Sequence, residues 1–145
     1  MPIFCYYIIM ANESKETLHF NMHAAIIVSD QNSPEIYPLH WHDAAEFTIA
    51  LQDGCKYRIN DTVFDLEKDD VLLVWPQQIH GTVKIPKKSS LLVQFPATII
   101  ESNLDLVSVS RFLFEFHHIS AKVYPELARF IREKIDEIQS IYVSS

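Results

Sequence analysis

Between residues 36 and 96, short apolar runs alternate with turn residues, a pattern that predicts a series of short β-strands. The runs are rich in Val, Ile, Phe, Tyr and Trp, and two of the predicted turns fall at Asp53-Gly54 and Asn60-Asp61. Short strands at even spacing are typical of an antiparallel sandwich or barrel. Residues 3–10 and 18–28 are predicted to form two further strands ahead of this region.

After Pro96 the apolar period lengthens from two residues to about 3.6, and near Pro125 it predicts the start of a long helix. One stripe of this helix recurs at alternating spacings of four and three residues, as in the seam of a helix pair. The predicted dimerisation residues in that stripe are Ala128, Ile131, Ile135, Ile138 and Tyr142. A helix that only covers the core of its own chain remains the alternative. The predicted organisation is one domain, with a β-barrel region at residues 1–97 and a helical segment at 98–145.

Side chains with metal-ligand chemistry share one face of the strand that follows His40. In an extended strand His40, His42 and Glu46 point the same way because even numbers of residues separate them. His80 follows a second apolar run and would supply a fourth ligand from a distant strand. Imidazole and carboxylate groups bind Zn, Ni, Mn or Fe, so a divalent metal held by these four residues is a candidate cofactor. A metal-free pocket that hydrogen-bonds an organic ligand and a purely structural polar cluster remain open alternatives.

The same face continues with small or polar side chains such as Ala44, Thr48 and Ala50, which predicts a roomy and partly polar cavity. The opposite face is bulky and apolar at Phe47, Ile49 and Leu51, and it is predicted to pack beneath the helices or an opposing layer. We expect the cavity to bind a small polar ligand such as a sugar. The predicted ligand-binding residues are His40, His42, Glu46, Thr48, Tyr57, Trp75 and His80. No residue is assigned a catalytic role.

Several motifs follow one another in a characteristic order. His40-Trp-His-Asp precedes the strand Glu46–Leu51, a turn at Gly54 follows, and the buried run Val71–Trp75 leads to Pro76, four residues before a further histidine. This order and spacing resemble a cupin barrel, and in particular the N-terminal sensor domain of AraC-type transcription regulators. The resemblance implies a mainly β fold, a double-stranded β-helix or jelly-roll barrel followed by C-terminal α-helices.

The sequence departs from the general cupin pattern at four places. The usual Pro-Gly-Asp turn of the second half reads Lys68-Asp69-Asp70. Pro34 lies where a glycine usually precedes the paired histidines, and Gly54 is one residue further from Glu46 than is usual. Gln78 stands where a glycine is expected between Pro76 and His80. The resemblance therefore supports the fold more firmly than it supports metal binding.

The resemblance also implies a function and partners. It implies a sensor that binds a small-molecule effector, forms a homodimer and controls a downstream helix-turn-helix DNA-binding domain, which this chain does not contain. Residues 1–10 would be an arm that can close over the pocket. The alternatives are a stand-alone metal-dependent cupin enzyme, either a dioxygenase or an isomerase, and a carbohydrate-binding module.

Composition limits the partners further. The formal net charge is -7 and no part of the chain forms a basic patch, so DNA contact requires another module. Two cysteines are too few for a disulfide framework. The apolar start at Met1–Met10 is too short to cross a bilayer and has no preceding positive charge. We therefore expect a cytoplasmic protein with no membrane partner.

Overall fold

The computed structural model describes residues 14–16, 27–31, 36–86 and 90–144. The strand predicted at residues 3–10 lies outside these ranges, as does the arm at residues 1–10. Of the strand predicted at 18–28, only residues 27 and 28 are described, and both lie in a strand.

Two sheets and three helices make up the described part of the chain. The strands are β1 (Ser14–Lys15), β2 (Ile27–Gln31), β3 (His40–Trp41), β4 (Ala44–Ala50), β5 (Cys55–Ile59), β6 (Thr62–Leu66), β7 (Val71–Val74), β8 (His80–Lys84), β9 (Ser90–Pro96) and β10 (His118–Ile119). The helices are α1 (Ala97–Glu101), α2 (Leu104–Leu113) and α3 (Pro125–Ser144). One sheet has the order β1-β3-β8-β5-β6 and the other the order β10-β7-β4-β9-β2. Strands far apart in the sequence therefore become neighbours, and the mainly β barrel with C-terminal helices predicted from the sequence is confirmed.

Turns fall where the sequence predicts them. Asn60 and Asp61 connect β5 to β6 as a two-residue loop, because Ile59 pairs directly with Thr62. Asn60 adopts a φ of 50° and Gly54 a φ of 95°, and both values lie in the left-handed region that asparagine and glycine tolerate best.

The outer face of the second sheet packs against the helices. Ile49 of β4 and Leu73 of β7 are buried there together with Ile100 of α1 and Ile135 of α3. Phe47 and Leu51 pack against the same cluster, so the predicted orientation of this strand face is confirmed. Complete burial of one such side chain stabilises the fold by about 1.5–3 kcal/mol, so this layer fixes the helices on the barrel.

The inner faces of the two sheets enclose a second core. Strand β5 alternates buried and half-buried positions, and the buried ones face inward. The fully buried members of this core are Ala50, Cys55, Tyr57, Ile59, Leu66, Leu72, Val74 and Ile85. Ala50 of β4 belongs to this core, whereas Glu46 and Thr48 on the same strand face do not. The interior beside Ala50 is therefore packed with side chains, where the sequence predicts a roomy cavity.

Helix α3 uses its predicted stripe within its own chain. Ala128 and Ile135 are each only 3% exposed and belong to the core under the helices, with Ile131 packed against them. Ile138 is half-buried, and the side chain of Tyr142 is not described. Three of the five predicted dimerisation residues thus contact the barrel, and a partner would meet a neighbouring flank of the helix.

Candidate metal centre and adjoining cavity

Strand pairing brings three histidines together. His40 of β3 lies directly opposite His80 of β8 in an antiparallel pair, and His42 follows β3 immediately. The ring centroids of His40 and His80 are 4.3 Å apart, and those of His42 and His80 are 4.7 Å apart. The sequence places His40 and His80 forty positions apart, so only the closed barrel makes them neighbours.

A glycine allows this close approach. A Cβ atom added to Gly81 would lie 2.8 Å from the carbonyl oxygen of Tyr37 and 3.1 Å from the nitrogen of Leu39. Any larger residue would push the segment that carries His40 away from β8. The backbone of Thr82 also donates to the Tyr37 carbonyl at 2.9 Å, which fixes the register of the two segments.

All three histidines are oriented by backbone carbonyls. Nδ1 of His40 lies 2.8 Å from the oxygen of Pro38, Nδ1 of His42 lies 3.0 Å from that of Ala44, and Nδ1 of His80 lies 2.8 Å from that of Gln78. A carbonyl oxygen only accepts, so each Nδ1 carries its proton and donates. Each Nε2 is thereby left for the interior of the cluster, which is how metal-binding histidines are usually held.

Glu46 lies against two of these rings and is only 7% exposed. Its Oε2 is 3.2 Å from Nε2 of His42 and 3.6 Å from Nε2 of His80, and it accepts a hydrogen bond of 3.0 Å from Gln94. Burial alone would raise the pKa of Glu46, but the two histidines and their charges hold the pKa well below its usual value. Glu46 is therefore a buried carboxylate that stays ionised.

These residues fit a divalent metal ion. One ring nitrogen from each of His40, His42 and His80 lies within 4.8 Å of the others. Among the described residues the buried Nε2 of His80 has no hydrogen-bond partner, and neither has the buried Oγ1 of Thr48. An unpartnered imidazole nitrogen is costly unless something binds it. Three imidazoles and one carboxylate are a donor set suited to Zn, Mn, Fe or Ni.

Two residues of this site are absent from the sequence prediction. Gln94 reaches Glu46 because β9 pairs with β4 in a register that sets Gln94 opposite Glu46. Its only signal is a polar residue within the apolar strand Leu91–Phe95. Glu16 follows β1, and its Oε2 lies 3.4 Å from Nε2 of His40. No sequence signal distinguishes Glu16 from the other polar residues around it.

Glu16 and His40 affect the ionisation of each other. The hydrogen bond from His40 lowers the pKa of Glu16, although partial burial opposes the change. Burial would lower the pKa of His40, but the contact with Glu16 and the Pro38 carbonyl outweigh burial and raise it. Each side chain thus favours the charged form of the other.

A cavity of about 660 Å³ adjoins the cluster. Its walls come from β1, from the ends of β4 and β9, and from helices α1 and α2. The lining residues are Lys15, Glu16, Asp43, Ala44, Pro76, Gln77, Pro96, Ala97, Thr98, Ile100, Glu101, Val107, Ser110 and Phe114. Apart from Glu16, none of the polar residues of the histidine cluster lines the cavity. Glu16 is therefore the link between the cavity and the cluster.

The other predicted ligand-binding residues lie elsewhere. Thr48 is 1% exposed on the inner face next to Glu46. Tyr57 belongs to the apolar core between the sheets, and its hydroxyl donates to Ser90 at 3.3 Å. Trp75 faces outward into the core under the helices, and its Nε1 donates to the carbonyl of Phe116 at 3.0 Å. The structure therefore does not bring Trp75 to the histidine cluster.

The fold and the site define a cupin-type domain with a small-molecule cavity beside a cluster of potential metal ligands. Residues 23–143 match the family described as the AraC-like ligand binding domain. This match covers most of the chain, and the chain belongs to that family. The predicted resemblance is thus confirmed. A comparison with curated proteins finds no match.

Similar solved structures include several of oxalate decarboxylase from Bacillus subtilis. The structure at pH 4.6 is 18% identical with a TM-score of 0.41, over 50% of this chain and 21% of that one. A variant with residues 162–163 deleted is 17% identical with a TM-score of 0.39, over 60% of this chain and 27% of that one. A third, titled for its Mn(II) centres, is 19% identical with a TM-score of 0.40, over 54% and 22%. The matched part of this chain spans about a fifth to a quarter of their length.

No helix in the described residues is both long and apolar enough to cross a membrane.

Proposed function

We propose that this chain is the small-molecule sensor of a transcription regulator. The observation that carries the proposal is the cavity of about 660 Å³ whose walls belong both to the barrel and to helices α1 and α2. A ligand in this position contacts two elements at once. It can therefore favour one arrangement of the helices over another, which is the requirement for a ligand to shift a conformational equilibrium.

The chemistry of the cavity suits a small ligand that has both polar and apolar parts. Lys15 and Asp43 form an ion pair of 2.8 Å at one wall, and Ile100 and Phe114 supply apolar surface at another. Glu16 and Ser110 add hydrogen-bonding groups. Pockets that combine apolar walls with a few convergent polar groups are typical sites for metabolites.

A divalent metal belongs to this proposal as a candidate cofactor. His40, His42, His80 and Glu46 would hold it, with the three imidazoles already oriented by the carbonyls described above. When bound, the ion would act as a Lewis acid that attracts the oxygen atoms of a ligand. Glu16, which contacts His40 and lines the cavity, would connect such a ligand to the metal site.

The remaining parts of the proposal concern the whole regulator. DNA binding would come from a helix-turn-helix module elsewhere in the protein, because this chain has a net charge of -7. The active form would be a homodimer that sets two such modules on adjacent half-sites. A protein with this role acts in the cytoplasm, where it reaches the chromosome.

Two matched substitutions test the cavity. Val107 lines it and is 44% exposed, whereas Val109 on the same helix is 42% exposed and does not line it. A panel of sugars, amino acids and small carboxylic acids is screened by thermal shift and calorimetry against the wild-type domain. We expect Val107→Trp to fill the cavity and weaken binding of a hit at least tenfold, and Val109→Trp to leave it unchanged. Equal affinity in all three proteins would place the ligand elsewhere and contradict the proposal.

The histidine cluster favours a second candidate, a metal-dependent enzyme. A metal with an open coordination position can act on a bound ligand as well as hold it. Mass spectrometry of each ligand after incubation with metal-loaded protein separates the two functions. Unchanged ligand supports the sensor. Conversion that disappears in His80→Ala supports the enzyme.

A further inference from the structure

Two carboxylates, rather than one, face the histidine cluster. Glu46 contacts His42 and His80 from within the barrel, at 3.2 and 3.6 Å. Nε2 of His40 instead faces Glu16, at 3.4 Å. Glu16 comes from β1, which joins the sheet at its edge and pairs in parallel with β3. The cluster therefore receives an acidic side chain from each of two separate elements.

The position of Glu16 is fixed by its backbone and by its neighbour. The Glu16 amide donates to the carbonyl of Trp41 at 2.7 Å. Lys15 binds Asp43 at 2.8 Å and lies over the ring of Trp41, 5.0 Å from its centroid. These contacts attach β1 to the segment that carries His40 and His42. Glu16 is thus held beside His40 by more than its own side-chain contact.

The spacing of these atoms suits ligands of one ion. Two donor atoms that each lie about 2.1 Å from the same metal are roughly 3.0 to 3.4 Å apart at octahedral or tetrahedral angles. The Glu16–His40 distance of 3.4 Å and the Glu46–His42 distance of 3.2 Å match this expectation, and the Glu46–His80 distance of 3.6 Å is slightly longer. Among the described residues, only the three histidines have donor atoms that all lie within 4.8 Å of one another, so each carboxylate would have to turn towards the ion when it binds. An ion that takes Nε2 of His40 would also deprive Glu16 of its present partner, and coordination would compensate the carboxylate.

We infer that Glu16 is a second carboxylate ligand of the metal at this site, supplied from outside the barrel by β1. This inference rests on the metal binding included in the proposed function. It gives the site five protein ligands, and it makes the metal strengthen the existing attachment of β1. Because Glu16 also lines the cavity, the metal, β1 and the effector would share one residue.

Metal affinity of matched variants tests the inference. Glu16→Gln keeps the shape of the side chain but removes its charge, and Glu101→Gln makes the same change at an exposed carboxylate of the same cavity. Dissociation constants for Zn²⁺ and Mn²⁺ are measured by competition with a chelator. We expect Glu16→Gln to weaken binding about 10–100-fold and Glu101→Gln to change it less than about twofold. His80→Ala, which removes a ligand of the core cluster, should abolish binding.

A second readout separates coordination from general electrostatics. The absorption bands of bound Co²⁺ depend on coordination number, so they should change in Glu16→Gln and stay the same in Glu101→Gln. Hydrogen exchange of the Glu16 amide should slow when metal is added to the wild type. Unchanged affinity and an unchanged spectrum in Glu16→Gln would overturn this inference while leaving the four-residue site intact. Tighter metal binding by Glu16→Gln would also overturn it, because Glu16 would then compete with the metal for His40. If the wild type bound no metal, both the inference and the metal part of the proposed function would fail, whereas the effector screen would remain decisive for the sensor.

Discussion

At the scale of single residues, the same substitution should destabilise the domain to different extents at two neighbouring histidines. His42 is 1% exposed and is bound by both Ala44 and Glu46, whereas Nε2 of His80 has no hydrogen-bond partner among the described residues. Without metal, His42→Phe leaves the buried Glu46 with less compensation and should lower the free energy of unfolding by about 3–5 kcal/mol. His80→Phe loses the hydrogen bond to Gln78 and the 3.6 Å contact with Glu46, but it also removes an unpartnered nitrogen, so it should lower that energy less, by about 1–2 kcal/mol.

Urea unfolding in the presence of a chelator measures both variants. Each should also lose metal binding, because each lacks one ring nitrogen of the cluster. If His80→Phe were as destabilising as His42→Phe, His80 would have a structural role and the argument for a ligand at its Nε2 would fail.

Thr48 offers a second residue-scale prediction. Its buried Oγ1 has no partner within the described part of the chain. Thr48→Val removes the hydroxyl and should raise the free energy of unfolding by about 1 kcal/mol. Thr82→Val is the matched control, because the hydroxyl of Thr82 accepts from the Tyr37 amide and its loss should destabilise by a similar amount. Thermal and urea unfolding should show a higher free energy of unfolding for Thr48→Val and a lower one for Thr82→Val. A loss of stability in Thr48→Val would contradict the prediction.

The sequence could predict those site residues whose placement depends only on strand parity. His40, His42 and Glu46 share a face of one extended segment, and that relation needs no tertiary information. Gln94 and Glu16 reach the site through the registers of β4 with β9 and of β1 with β3, which spacing along the chain does not encode. Trp75 lies on the other face because its neighbour Val74 pairs with Glu46 and points inward. Once Val74 is known to face inward with Glu46, the alternation of side chains along β7 places Trp75 on the outer face.

At the scale of elements, the sequence predicts apolar surfaces better than it predicts what covers them. The apolar period of helix α3 correctly predicts that the stripe at Ala128, Ile131 and Ile135 is buried. That period is the same whether the stripe meets a partner helix or the outer face of β4 and β7. The barrel of the same chain has a high effective concentration, which favours the intramolecular contact. Which surface remains for a partner could be seen only from the folded barrel.

One buried carboxylate connects the barrel to helix α3. Asp70 is 3% exposed and accepts from His118 at 2.8 Å, from the Ala121 amide at 2.8 Å and from the Glu67 amide at 3.0 Å. It therefore joins the start of β7 to β10 and to the turn that precedes α3. Asp70→Ala leaves these donors without a partner. It should lower the free energy of unfolding by about 2–4 kcal/mol.

A surface carboxylate provides the control for Asp70. Asp65 forms a 3.1 Å ion pair with Lys56, and its side chain is 70% exposed. Asp65→Ala should cost less than about 1 kcal/mol, since exposed ion pairs contribute little. Hydrogen exchange provides the more specific readout, because Asp70→Ala should increase exchange in the first turns of α3 more than in β5 and β6. Uniform exchange throughout the domain would show that Asp70 stabilises the barrel rather than the helix attachment.

At the scale of the whole molecule, apolar side chains remain exposed on helix α3. Leu127, Phe130 and Ile141 are 44%, 55% and 68% exposed, and they lie on the flank next to the buried stripe. Lys134 and Glu137 fall between them and bind each other at 3.0 Å, so the flank has apolar ends and a charged middle. A second copy in antiparallel orientation would set the apolar end of one helix against that of the other. We expect any homodimer to use this flank rather than the stripe that the sequence indicates.

Phe130→Glu tests this surface. The new charge would be buried without a partner in the dimer, so the dissociation constant measured by sedimentation should rise at least tenfold, while the monomer keeps its stability. Val63→Glu adds the same charge at a 51% exposed apolar site on β6, the edge strand of the sheet on which α3 does not pack, and should leave dimerisation unchanged. Ile135→Ala should instead lower monomer stability by about 2–4 kcal/mol, because Ile135 packs on the barrel of its own chain. If Ile135→Ala dissociated the dimer without destabilising the monomer, the helix would be exchanging its stripe between the two copies, and the flank would not be the interface.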